Sequence, residues 1–126
     1  FDKTKKALSK LRALDADMIA GDSYNCTAEN VEKIGNNVCL DFNNMDFGEQ
    51  KVTKLIVCGK SNTENNTINV KFFNDDGSNT TQVIEFSHTD DYEQREFNLE
   101  AVTGRKKVSF VFLPGCNFDF KWFRFE

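Results

Sequence analysis

Apolar and polar positions alternate with a period of two along most of this chain, the pattern of strands with one buried and one wetted face. Residues 38–42 set Val38, Leu40 and Phe42 against Cys39 and Asp41, and Asn43-Asn44 after them read as a turn. Residues 67–74 set Ile68, Val70 and Phe72 against Asn69, Lys71 and Phe73, and Asn74-Asp75-Asp76-Gly77 closes them. Similar runs mark strands over 18–24, 52–59, 81–86, 95–99, 107–113 and 118–125, about eight in all, parted by Asn, Asp, Gly and Ser clusters. One segment differs. Across residues 4–14, Ala7, Leu8, Leu11 and Leu14 recur at spacings of three and four, which predicts a short amphipathic helix with Thr4 as its cap. With no helical pattern between the strands, the fold class is all-β, an antiparallel sandwich or barrel and not a parallel α/β sheet. The domain plan is a helix or linker from the parent chain over residues 1–16 and a β-sandwich over 17–126.

Length and composition fit that plan. A chain of 126 residues and 14.4 kDa is one domain, and the scaling of surface with mass gives about 6,800 Å² for its folded surface, roughly a third of what the extended chain exposes. Thirteen Phe against one Trp and two Tyr bias the aromatic load toward a core, because Phe has no polar tip for a wet edge. Residues 118–125 carry large apolar groups at both parities. That strand is therefore central, or covered on its second face by the helix or a partner domain.

Charge and motif content remove several functions. Sixteen Lys and Arg against twenty Asp and Glu give a net charge of -4, the wrong sign for a nucleic-acid module, whose affinity comes largely from phosphate contacts. No apolar run nears the roughly 18 residues of a membrane-spanning helix. The single histidine, His88, lies in the polar turn Ser87-His88-Thr89-Asp90-Asp91, without the pocket a general base needs, and zinc motifs built on two histidines are excluded. Gly59-Lys60-Ser61 looks like the tail of a phosphate-binding loop but lacks the upstream glycine and the following helix. No catalytic residue is assigned, and binding or scaffolding is expected. Cys26, Cys39, Cys58 and Cys116 contain no C-x-x-C pair, so free thiols are expected, with Cys39 and Cys58 as small buried hydrophobes, and a reducing compartment fits them. The start at Phe1 and a strand running to the last residues suggest a segment of something longer.

Asparagine is abundant between the strands, at Asn36-Asn37, Asn43-Asn44, Asn62, Asn65-Asn66, Asn79 and Asn117. One reading is turn geometry, since Asn tolerates left-handed backbone and caps its own turns. The other is sugar recognition. A neutral amide offers a donor and an acceptor to vicinal hydroxyls, and a neighbouring Tyr or Trp offers a flat apolar face to a pyranose ring.

The closing stretch from Gly104 through Val108-Ser109-Phe110-Val111-Phe112-Leu113-Pro114-Gly115-Cys116-Asn117 to Phe118-Asp119-Phe120-Lys121-Trp122-Phe123-Arg124-Phe125 resembles the last two strands of galactose-binding-like jelly rolls. It is particularly similar to the carbohydrate-binding-module-like domain at the C-terminus of bacterial family-two glycoside hydrolases, the β-galactosidases. Ala20-Gly21-Asp22-Ser23-Tyr24, Ile34-Gly35-Asn36-Asn37, Met45-Asp46-Phe47-Gly48 and Cys58-Gly59-Lys60-Ser61 agree in order. The resemblance implies a jelly-roll β-sandwich that binds carbohydrate without catalysis, with galactosides as ligands and a parent glycoside hydrolase in cis. It implies Tyr24 or Trp122 as a stacking face, with Asn36, Asn37, Asn62, Asn117 and Asp119 hydrogen-bonding hydroxyls at the loop end of Asn117, away from His88. Related family-six-type modules hold a structural calcium through a Glu in the opening strand and an Asp directly before the Trp-Phe pair. Here Asp22 and Asp119 are the candidate ligands, while Lys121 stands before Trp122-Phe123 and would repel the ion, so no cofactor is required. The alternative is a structural domain that packs on its parent enzyme and binds no sugar.

Overall fold

The computed structural model of the chain describes residues 9–35, 37–49 and 51–126, and residues 5–6 through their backbone. Its accessible surface is 6879 Å², as the mass predicts. The strands are β1 (Lys5–Lys6), β2 (Leu11–Arg12), β3 (Met18–Ala20), β4 (Asn25–Cys26), β5 (Val31–Ile34), β6 (Val38–Asp46), β7 (Val52–Ser61), β8 (Asn65–Phe73), β9 (Asn79–Ser87), β10 (Glu93–Val102), β11 (Arg105–Phe112) and β12 (Phe118–Phe125). They form two sheets. The first runs β6-β11-β8-β9, with β1 and β3 both on the outer edge of β6; the second runs β10-β7-β12-β5-β4, with β2 also on β12. Only β1 pairs in parallel among the described strands. This is the expected antiparallel sandwich.

Among the described residues the expected N-terminal α-helix does not form. Thr4, Ala7 and Leu8 lie outside the described residues, Leu11–Arg12 pair with Phe123 and Trp122 of β12, and the helical content of the described residues is one 3-10 turn at Ala13–Asp15. Ala13 is fully buried and Leu11, Leu14 and Ala16 pack against the core, so residues 11–16 pack on the sandwich. Their three-and-four spacing serves a strand followed by a tight turn. Asn43-Asn44 is also not a turn. Strand β6 runs through both, because Asn44 takes a left-handed φ of 55° and the pair forms a bulge opposite Lys107, between the pairings Phe42 to Val108 and Met45 to Lys106.

The core is built from phenylalanine rings meeting edge to face. Phe123 lies 4.8 Å from both Phe42 and Phe110 of the first sheet, Phe125 lies 4.8 Å from Phe47, and Phe118 lies 4.8 Å from Phe86. A register shift between Phe120 and Trp122 explains why β12 is apolar at both parities. The extra residue turns Phe118 and Phe120 inward before it and Phe123 and Phe125 inward after it, leaving Trp122 on the outer face. The N-terminal segment covers that ring, with β2 alongside and the Lys10 ammonium 4.3 Å from its centroid. Gly59 is required by this packing, since a methyl group there would fall 2.1 Å from Phe118 Cζ. The phosphate-loop look of Gly59-Lys60-Ser61 is therefore a strand end under an aromatic ring.

All four cysteines are free thiols. Cys58 is buried, whereas Cys39 is half-buried and, unlike the small core hydrophobe expected, joins a polar cluster. Asp41 Oδ1 accepts from Ser109 Oγ at 2.6 Å and from Cys39 Sγ at 3.0 Å, and Lys107 Nζ lies 3.5 Å from Asp41 Oδ2. Burial and the neighbouring carboxylate push the Cys39 thiol up to about 11. Burial works to raise the Asp41 carboxyl, but Ser109, Cys39 and Lys107 together outweigh it and hold the group below its usual range.

Two outcomes follow from these contacts. Gly59→Ala is expected to cost about 1–3 kcal/mol by overpacking against Phe118, read as a shifted urea midpoint; an unchanged midpoint would show that the ring moves freely. Because the folded Asp41 pKa lies below its unfolded value, its stabilisation is complete above the unfolded pKa and disappears as pH falls through the folded one. Asp41→Asn should therefore flatten the acid limb of the stability curve, and a limb as steep as in the parent protein would assign that limb to other carboxylates.

Candidate functional site

One loop end of the sandwich is organised by a residue buried beneath it. Asn66 is completely inaccessible; its Nδ2 donates to Ser61 Oγ at 2.6 Å and to the Phe86 carbonyl at 2.9 Å, and its Oδ1 accepts the Asn117 N–H at 3.0 Å. One amide thus ties the end of β7, the end of β9 and the loop before β12. The Ser61 N–H is taken by Thr89 Oγ1 at 3.0 Å, which brings in the β9–β10 connection. Above this network the Asn62 N–H donates to the Asn117 carbonyl at 3.1 Å. The Asn62 and Asn117 side-chain amides meet at 3.4 Å.

These loops border an open groove of about 320 Å³ lined by Ser23, Lys33, Gly35, Asn62, Cys116 and Asn117. The Gly35 N–H donates to the Ser23 carbonyl at 2.9 Å, closing the far wall. Lys33 has a left-handed φ of 53°, stabilised by Asp119 Oδ1, which accepts its N–H at 2.9 Å. That backbone twist accompanies the register shift between β5 and β12. The lining offers amide, hydroxyl and ammonium donors and amide acceptors, and among the described residues none that lines it is a carboxylate. Chemically it is a surface for hydroxyl groups.

Of the sequence-assigned residues, Asn62 and Asn117 come together in this groove. Asn37 and Tyr24 belong to its bordering loops: Asn37 Nδ2 donates to Asp22 Oδ2 at 3.5 Å, and the Tyr24 hydroxyl donates to the Ile19 carbonyl at 3.2 Å with 39% of the residue exposed. Asn36 lies outside the described residues. Asp119 is engaged in shaping β5 beneath the lysine. Trp122 does not join them, being 7% exposed and placed in a separate groove of about 280 Å³ with Lys10, Arg12, Ala28, Glu29 and Lys121. Of the two candidate stacking faces Trp122 is not at this groove, because the β12 bulge sends the indole onto the outer face under Lys10. Lys121 instead lies 5.5 Å from the ring centroid of Tyr92, whose hydroxyl is pushed up to about 12 by burial and by the nearby Asp119 and Glu32.

Each residue named for calcium has a partner within the protein. Asp22 serves Asn37 and Asp119 serves the Lys33 N–H, and among the described residues no three His, Cys, Asp or Glu side chains gather as a metal-binding group. Asn66, Ser23, Lys33 and Gly35 are not among the site residues assigned from the sequence. For Asn66 a signal existed: it shares parity with Ile68, Val70 and Phe72, so it points into the core, where an amide must find partners.

No family model matches the chain, and no curated protein does. Solved structures do. A family 6 carbohydrate-binding module of Clostridium stercorarium in complex with cellobiose superposes with a TM-score of 0.84 at 21% identity, over 100% of this chain and 98% of that one. The chain has the fold of those modules. A family 6 module of Clostridium cellulolyticum in complex with xylose gives a TM-score of 0.81 at 24% identity, over 97% and 99% of the two chains. A family 43 arabinoxylan arabinofuranohydrolase of Bacillus subtilis, in complex with cellotetraose, matches 98% of this chain with 28% of its own length, at 19% identity and a TM-score of 0.79. At these identities the likeness establishes the jelly roll and leaves the ligand to the residues.

The network and the groove are separable by mutation. Asn66→Ala strands the Asn117 N–H and the Phe86 carbonyl without their side-chain partner, and is expected to cost about 1–3 kcal/mol of stability. Equilibrium unfolding gives the number. A loss within about 0.5 kcal/mol, the range of ordinary surface changes, would mean that water replaces the amide.

Proposed function

We propose that this domain is a non-catalytic carbohydrate-binding module that holds oligosaccharide in the groove of Asn62, Asn117, Lys33 and Ser23. The observation that carries the reading is the pair of neutral amides, fixed from below by Asn66, on a loop end of a jelly roll shared with structures that contain sugars. Vicinal hydroxyls both donate and accept, and paired amides answer them with both functions. Hydrolysis of a glycosidic bond would instead call on two carboxylates roughly 5–10 Å apart across the substrate, and the groove lining has none. His88 is no substitute, since it sits exposed in a turn with Asp90 as its neighbour.

Without an aromatic ring among its lining residues, the groove binds through hydrogen bonds that compete with water, so a single site is weak. Tethering makes such a site useful, because a linked catalytic domain gains effective concentration on a polymer with many repeats. The partner proposed in cis is accordingly a glycoside hydrolase. Galactosides are the proposed ligand class and a β-galactosidase the proposed parent, both on the strength of the closing-strand resemblance. The rival role, packing on the parent without sugar, asks for a contiguous apolar face. The exposed large hydrophobics argue against one: Met18 on β3 and Val83 on β9 stand at opposite edges of the first sheet, and Tyr24 is in a loop.

Titration of the labelled domain with galactobiose, cellobiose and xylobiose, followed by amide NMR, tests this reading. Shifts are expected at residues 33–35, 62 and 116–117, strongest with the galactoside. Asn117→Ala should weaken binding by about 1–3 kcal/mol while the melting temperature stays nearly unchanged, since its backbone N–H still reaches Asn66. Shifts confined to the His88 turn would place the site elsewhere, and stronger binding of cellobiose would replace galactoside with glucan.

A further inference from the structure

The opposite end of the sandwich carries a cleft with different chemistry. It encloses about 440 Å³ and is lined by Asn43, Asn44, Phe73, Asn74, Asp75 and the consecutive cations Arg105, Lys106 and Lys107. Three neighbours on a strand ordinarily alternate between faces. Here the cleft wraps the end of the first sheet, at the start of β11, and the Asn43-Asn44 bulge replaces regular pairing opposite Lys107, so all three border one space. The bulge is thus the feature that concentrates charge. In a chain of net charge -4, the described residues of this lining include three cations and one carboxylate, that of Asp75.

The cations are not all neutralised by the fold. Lys107 is partly spent on Asp41 at 3.5 Å, with its ammonium also 5.4 Å from the Phe73 ring centroid. Lys106 Nζ donates to a neutral partner, Asn74 Oδ1, at 2.6 Å, which positions it without cancelling its charge. Arg105 is exposed, with no side-chain hydrogen bond or ion pair among the described residues. The other nearby acids each have a partner: Asp76 is occupied by the Ser78 N–H and hydroxyl within its own turn, Asp46, opposite Arg105 in register, accepts the Gly48 N–H at 2.9 Å, and Asp17 accepts the Asn43 N–H at 2.6 Å. The backbone register also brings Lys5 and Lys6 beside Met45 and Asp46 at this end. What remains is a guanidinium and an ammonium at the rim of a cleft whose Phe73 wall is apolar and whose Asn44 amide is exposed. A planar guanidinium fork with adjacent amides recognises an oxyanion, and an apolar ring edge suits the sugar that bears it.

We propose that this cleft is a second binding site, for acidic saccharide units in which a carboxylate or sulfate ester on the ring meets Arg105 and Lys106. The inference rests on the carbohydrate reading of the domain but uses none of the residues of the amide groove. Two sites at opposite ends would let one domain bridge neutral and charged stretches of a polysaccharide, or two chains.

The experiment compares trigalacturonate, a sulfated galactan tetrasaccharide and neutral galactotetraose with the full chain, read by amide NMR and calorimetry at low and high salt. At least one acidic probe is expected to shift residues 43–44, 74–75 and 104–107, with affinity falling as salt rises. The arm that binds tells carboxylate from sulfate. In the double variant Arg105→Gln, Lys106→Gln, affinity for that probe should drop on the order of tenfold while neutral binding at Asn117 is kept. Arg105 is exposed and Lys106 half-buried, so an unchanged melting temperature certifies the fold of the variant; the salt titration of the parent protein provides a second readout independent of the variant. Absence of shifts with both acidic probes, equal shifts from the neutral probe, or unchanged affinity in the variant each overturns the proposal. Neutral sugar binding at Asn117 with no acidic binding leaves the amide groove standing and removes the second site. Acidic binding at Arg105 with no neutral binding does the reverse.

Discussion

The insertion of the β12 phenylalanines between the sheets is the contact on which the rest of this molecule depends. β12 is central in the second sheet, and Phe118, Phe123 and Phe125 reach rings on β9, β6, β11 and β8 in the first, with Phe47 just beyond β6. A ring pair of this kind contributes about 0.5–1.5 kcal/mol beyond its buried area, so a chain of them fixes both stability and register. A one-residue slip would turn these rings to water and bring Asp119 and Arg124 inside. The bulge at Lys121 and Trp122 is what lets β12 keep four phenylalanines inward at two parities, and it exports the indole to the outer face. The same event that completes the core therefore removes Trp122 from the amide groove.

Loops can only present amides usefully if their backbones are held, and here the holding is done from below. A buried Asn is costly unless each polar atom is matched, and Asn66 is matched by groups from three segments. The cost of leaving it unmatched makes those segments cohere. Ser61 works both ways, its hydroxyl accepting from Asn66 while donating to the Thr63 carbonyl at 2.7 Å. Asn117 can then present its side chain to a ligand, because the buried network holds its backbone N–H and its amide meets only the exposed Asn62 amide, at 3.4 Å.

Strand positions were legible because burial on one face imposes alternation, and β6 to β12 fall close to where the pattern put them. What was misread shares a cause: short segments whose period is set by tertiary contacts. Ala7, Leu8, Leu11 and Leu14 have helical spacing, yet Leu11 pairs with Phe123 and Ala13 fills the core, because a dozen residues cannot sustain a helix against a sheet edge that offers hydrogen bonds. Asn43-Asn44 looked like a turn and became a bulge, since left-handed Asn serves either. Which it serves depends on the partner strand, invisible in a local window. In the amide groove, Asn62 and Asn117 were legible from residue chemistry, whereas Ser23, Gly35 and Lys33 enter through backbone folding that no side-chain type announces.

The two ends of the sandwich differ in how they can act. At the Asn117 end, neutral amides make short-range, directional contacts, so recognition there depends on the geometry that Asn66 maintains. At the Arg105 end, charge attracts over about 8 Å at physiological salt and tolerates looser geometry. This matches the structure beneath each: a fully bonded buried network under the first, a bulged strand and an exposed guanidinium under the second. The intervening core is a rigid spacer, its strands of eight to ten residues from β7 to β12 setting a distance of about 25–35 Å between the ends. That spacing exceeds several Debye lengths, so charge at one end leaves the electrostatics of the other untouched. Substitution at either end can thus change its ligand without disturbing the other, provided the β12 rings stay in register.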